Sequence, residues 1–173
     1  MPLQENVQEK ILSKLDEAFR EDKIPSKLIE EGKVLTVMIP ENSFGIEIFG
    51  DIFFQEMPED KDEVLFLTQK FDVKTFDKLK DEQTAELLVA VSMMNSSIPV
   101  GGYAVELGEK DGEDIRLSYK QTIPIPRAFC FEKIYGEAET MFYSMVTVLS
   151  DSAMDIIDHV QGKISSEEFL RKL

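Results

Sequence analysis

The chain has 173 residues, enough for one domain with a proper core, and 43% of them are hydrophobic, which excludes a disordered polymer. Its formal net charge of −15, from 34 acidic and 19 basic residues, opposes binding to a nucleic-acid phosphate backbone or to an anionic membrane surface. No apolar run is long enough to span a bilayer, the opening Met-Pro-Leu-Gln-Glu-Asn lacks the basic-then-apolar pattern of a secretory leader, and one cysteine permits no internal disulfide. A reducing cytoplasm is the expected compartment.

From Asn6 to Phe19 the residues Val7, Ile11, Leu12, Leu15, Ala18 and Phe19 recur at helical spacing among Glu, Lys and Asp, which predicts a one-faced amphipathic helix. Ile24-Pro25 ends or redirects it. Val34 to Ile39, β-branched and apolar between Gly32 and Pro40, reads as a strand. Asn42 to Gly45 is turn chemistry, and Ile46 to Phe54 is a second strand, with Gly50-Asp51 suggesting a bulge or bend. Glu56 to Glu63 is a charged loop. Val64 to Thr68 is a short apolar strand suited to the centre of a sheet. Phe71, Val73, Phe76 and Leu79 thread through a connection into the next helix.

That helix, centred on Ala85 to Met94, is apolar nearly all round, so protein is expected to cover it on more than one side. Asn95-Ser96-Ser97 competes for backbone hydrogen bonds, Pro99 forbids continuation, and Gly101-Gly102 frees the chain to reverse. Tyr103, Val105 and Leu107 alternate with Ala104 and Glu106; Ile115, Leu117 and Tyr119 alternate with Arg116, Ser118 and Lys120. Gly108 to Gly112, with its Asp-Gly step, joins them as a hairpin. Ile123 to Pro126 is extended. A long helix follows, from Phe131 or Glu137 to Val160, and Ser165-Ser-Glu-Glu168 has the capping-box spacing of a short terminal helix through Phe169 and Leu170. The order is α-βββ-α-ββ-α, an α+β fold with a largely antiparallel sheet in a single domain spanning 1–173, its core about 7–160.

Catalytic machinery is not legible. His159, the lone histidine, has Asp155 and Asp158 nearby but no further metal ligands, and reads as a surface helix residue. Cys130 sits between Phe129 and Phe131 and reads as a buried thiol without a histidine base. Glu56, Glu59, Asp60, Asp62 and Glu63 lack the spacing of a calcium loop and read as a solvated face. Phosphate-loop, dinucleotide and zinc-protease motifs are absent. No enzyme, cofactor or metal is expected. Met93, Met94, Met141, Met145 and Met154 fall on the two long apolar helices, where methionine fills irregular cores or adaptable binding surfaces. The last helix carries an apolar stripe wider than one sheet face needs, so Met141, Met145 and Val148 are expected at a homodimer interface.

The segment Asn95-Ser-Ser-Ile-Pro-Val-Gly-Gly-Tyr103, followed by the Asp-Gly turn and Ile-Arg-Leu-Ser-Tyr119, resembles the YbjN family, whose second-strand arginine is matched by Arg116. That family's additional asparagine one helical turn earlier is Ser92 here. The resemblance implies the fold of type III secretion chaperones from about Val7 to Val160. It implies a small acidic homodimer that binds protein segments and catalyses nothing, with structural roles for Asn95, Gly102 and Arg116. The competing expectation is a small-ligand sensor or enzyme accessory domain with a pocket between sheet and helices.

Overall fold

In the computed structural model, the described residues are 5–40, 46–56, 65–107, 114–125 and 131–173. Their element order is α1 (Glu5–Glu21), β1 (Ser26–Ile29), a single 3-10 turn, β2 (Val34–Ile39), β3 (Ile48–Glu56), β4 (Leu65–Asp77), α2 (Asp81–Ser97), β5 (Gly102–Leu107), β6 (Asp114–Ile125), α3 (Phe131–Val160) and α4 (Ser166–Leu170). The fold is α+β. Its six strands form one antiparallel sheet in the order β1-β2-β3-β4-β6-β5.

Four strands precede α2 rather than three. The extra one, β1, is Ser-Lys-Leu-Ile directly after Pro25, too short to show a period, and it exists because β2 lies beside it with Leu28 opposite Leu35. β4 also runs on through the stretch that reads as a connection. It pairs with β6 from Leu65 opposite Ile125 to Asp77 opposite Asp114, with one irregularity at Asp72/Lys74. That irregularity is the sheet's bulge. At Gly50 the pairing with β4 is regular, so the glycine has another cause: a Cβ there would lie 2.2 Å from Phe71 Cδ1. The Phe71 ring occupies the space a side chain at position 50 would need.

β6 likewise continues through Pro124, which stands opposite Phe66. β5 stops at Gly102 opposite Lys120, so beyond that point β6 has no neighbour on its second side. Proline is tolerated on such an edge, where the missing N–H removes no ladder bond.

The inner face of the sheet is a continuous apolar surface crossed by one polar row. Leu35, Ile52, Gln69 and Gln121 stand opposite one another on four successive strands. Both glutamines are buried. Gln121 Nε2 donates to Gln69 Oε1 at 3.1 Å and to the Met141 carbonyl at 2.7 Å, and Gln69 Nε2 donates to the Ala138 carbonyl at 2.8 Å. α3 is thus hydrogen-bonded to β4 and β6 as well as packed on the sheet. Around that row the Phe142 ring of α3 packs at a tilt against Phe19 of α1 (ring centroids 4.2 Å apart) and Phe71 of β4 (6.0 Å), tying both helices to the sheet.

Truncating Gln121 to alanine leaves the Gln69 oxygen buried without its donor. A cost of about 1–3 kcal/mol is expected, read as a lower urea midpoint with an unchanged slope. An unchanged midpoint would show that the amide row contributes nothing to stability.

A candidate docking groove beside the second helix

α2 is apolar in sequence but only half enclosed. Leu87, Ala90, Val91 and Met94 are buried against α3 and β5, whereas Leu88 is 52% and Val89 58% exposed. Protein covers this helix on two sides, β5 beneath it and α3 beside it, and leaves the remaining flank open. The reason is geometric: α2 lies over β5, the outermost strand, and has only α3 on its inner flank.

The open flank of α2 faces the end of α3. α3 stops in a glycine-terminated turn in which Gly162, at φ +72°, donates to the His159 carbonyl at 2.9 Å and Lys163 donates to the Asp158 carbonyl at 2.8 Å. The chain then doubles back. Ser165 accepts from the Glu168 N–H at 3.2 Å and starts α4, which carries Phe169 into the core and leaves Leu170 half exposed. Gln83 Nε2 donates to the Val160 carbonyl at 3.3 Å, fixing the first turn of α2 to the last of α3. Between these three helices lies a groove of about 360 Å³ lined by Ala85, Glu86, Val89, Ala90, Met93, His159, Ser166, Phe169 and Leu170.

His159 is therefore not a surface residue. It is 9% exposed and stacked on Phe169, the rings 4.8 Å apart and 10° from parallel. Its Nδ1 is buried without a hydrogen-bond partner. Nothing in the sequence reveals this, because burial of position 159 depends on α4 folding back after Gly162.

The other sequence-selected residues lie elsewhere. Met145 is 0% exposed within the chain's own core, while Met141 and Val148 are half-buried flanks of the same stripe. Met145 is enclosed by the core and has no surface to offer a second copy, whereas Met141 and Val148 keep part of theirs. Met93 lines the groove and Met94 is core. Cys130, the Asn42–Gly45 turn, the hairpin turn at Gly108–Gly112, Pro126, Val64 and the acidic loop beyond Glu56 lie outside the described residues. Among the described residues, no three His, Cys, Asp or Glu side chains come together as a metal site would require.

Asn95 holds the start of β5 by two bonds. Its Nδ2 donates to the Tyr103 carbonyl at 2.9 Å and its Oδ1 accepts from the Tyr103 N–H at 2.8 Å. A Cβ on Gly102 would lie 3.1 Å from Asn95 Oδ1, and one on Gly101, at φ +74°, would lie 2.8 Å from the Tyr119 hydroxyl. That hydroxyl donates to the Val100 carbonyl at 2.7 Å. Arg116 stands opposite Glu106 on the outer sheet face, 3.9 Å from Asp72.

Tyr119 is fully buried, and desolvation pushes its hydroxyl pKa from 10.0 up to about 12. Tyr103, whose hydroxyl lies 2.8 Å from Ser152 Oγ, is shifted the same way, chiefly by burial. Both folded values lie above the unfolded one, so their contribution is complete below pH 10 and falls as pH rises through about 12. Base titration followed by circular dichroism is expected to show unfolding in that window. Tyr119→Phe, which cannot ionise, should shift the midpoint upward, and an unchanged midpoint counts against the assignment.

The fold and the groove together define a class: an α+β domain with an antiparallel sheet, a helical layer on it, and an apolar groove opening between helices. No protein-family model and no curated protein matches the chain. Among solved structures, the crystal structure of YbjN from E. coli is similar over 81% of this chain and 89% of that one, at 8% identity and a TM-score of 0.47. No helix of the described residues is long and apolar enough to cross a membrane.

Proposed function

We propose that the chain is a non-enzymatic adaptor or chaperone-like protein that binds protein segments through exposed apolar surface and works as a homodimer in the cytoplasm. The observation that carries this reading is the pair Leu88 and Val89, two large apolar side chains left in solvent on a helix whose other face is core. Burying each contributes roughly 1.5–3 kcal/mol, so leaving both exposed favours association.

Consecutive helix residues point about 100° apart, so the two side chains serve different flanks. Val89 lines the groove, and Leu88 does not. One flank is available to a second copy and the other to a partner. The exposed Leu88 supports self-association on that flank, Met145 being core and Met141 and Val148 half-buried. The groove lies among helices, and its lining offers only Glu86, His159 and Ser166 as polar side chains, which favours an apolar protein segment over a polar small ligand.

Two substitutions separate the parts of the proposal, and both positions are exposed enough to leave the fold intact. Leu88→Glu is expected to reduce the mass measured by light scattering during size exclusion from a dimer to 19.7 kDa. Val89→Glu is expected to leave that mass unchanged and to abolish binding to an immobilised array of peptides of varied charge and apolar content. A wild-type mass of 19.7 kDa at all concentrations sinks the dimer. Wild-type protein that binds no peptide on the array sinks the adaptor.

A further inference from the structure

Resting on the adaptor reading, we propose that the occupant of the groove is a basic amphipathic helix of a partner protein, its apolar side chains inserted between α2 and α4 and its lysines or arginines set over the carboxylates of α2.

The shape of the groove selects a helix. Ala85, Val89 and Met93 line it at four-residue steps, a stripe running about 12 Å along α2. A volume of about 360 Å³ is at the small end of ligand pockets, which span about 300–1,000 Å³. A short, elongated apolar trough of this kind suits a pair of aliphatic side chains one helical turn apart, the contact made when an amphipathic helix lies in a groove.

Charge selects its flanks. α2 carries Asp81, Glu82 and Glu86 and no lysine or arginine. Glu86 lines the groove and Glu82 lies one turn before it on the same flank. Among the described residues neither has an ion-pair partner. The basic side chains on the opposite wall are all engaged: Arg171 with Glu167, Lys172 with Asp155 at 2.6 Å, and Lys163 with Asp158 at 2.8 Å. What remains uncompensated at the rim is negative.

His159 belongs to the wall of the groove: it is nine-tenths buried, and its imidazole stacks on Phe169.

The test uses fluorescein-labelled leucine/lysine peptides of about 18 residues, long enough to hold a helix once bound. Two controls accompany them: a leucine/glutamate peptide with the same apolar stripe, and a leucine/lysine peptide of the same composition with the leucines out of helical register. Anisotropy against the full chain is expected to show the basic amphipathic peptide binding about tenfold more tightly than the acidic one, with the advantage shrinking at high salt. The double variant Glu82→Lys/Glu86→Lys should reverse the preference while keeping its circular dichroism spectrum. A nitroxide on the apolar face of the peptide should broaden the ring resonances of His159 and the methyl resonances of Leu170.

Equal binding of the acidic peptide, abolished by Val89→Glu, overturns the basic partner and leaves the adaptor standing. Equal binding of the out-of-register peptide overturns the groove. A dimer mass that Val89→Glu reduces to a monomer makes the occupant a second copy of this chain and overturns the proposal as well.

Discussion

The structure depends on a buried amide bridge between its sheet and its longest helix. Gln69 and Gln121 face one another on the neighbouring strands β4 and β6, and between them they bond each other and two carbonyls of α3. Apolar packing alone would hold α3 against the sheet without fixing where along the sheet it sits. Buried donors and acceptors must find partners, so the amides allow one axial position of the helix, the one that brings Ala138 and Met141 over them. From that position follow the ring contacts of Phe142, the placement of the α3 terminus, and hence the site at which α4 returns to stack Phe169 on His159.

The same bridge explains what the sequence concealed. The apolar run that reads as β4 stops at Thr68 because Gln69 is polar, so the strand looks complete when nine of its thirteen residues are still to come. Similarly, Pro124 looks like the end of β6 until β5 is seen to stop first. Periodicity makes α1, the β5–β6 alternation and α3 legible, whereas α2 and β2 show through apolar and β-branched composition between breakers. Ser165 and Glu168 announced α4 through local capping alone. Gly50 was visible as an anomaly, but its cause, a phenylalanine ring from the neighbouring strand, lies outside any local pattern.

The candidate site was less legible than the fold. α2 shows its apolar character plainly, and its position at the outermost strand, which decides that half of that character stays in solvent, is a property of sheet order. His159 reads as exposed because the covering group comes from beyond a chain reversal. The core absorbs the wide stripe of α3 only in part, at Met145 but not at Met141 or Val148, and further apolar surface stays open on α2 at Leu88 and Val89. Helix amphipathicity records how much surface a chain must bury, and the element packed beside it decides whether the chain does so itself.

Asn95 carries a consequence for solubility. β5 forms one border of the sheet, and a bare border presents alternating N–H and C=O groups on which a second extended chain can add. At Tyr103 both of those groups are already taken by the Asn95 side-chain amide. One position along the border is thereby closed to a stranger's backbone, and a six-residue strand interrupted near its start offers little continuous length to copy. A polar side chain at the end of a helix thus serves as a stopper on the neighbouring strand, discouraging fibre-like growth in a protein that keeps other sticky surface open for use.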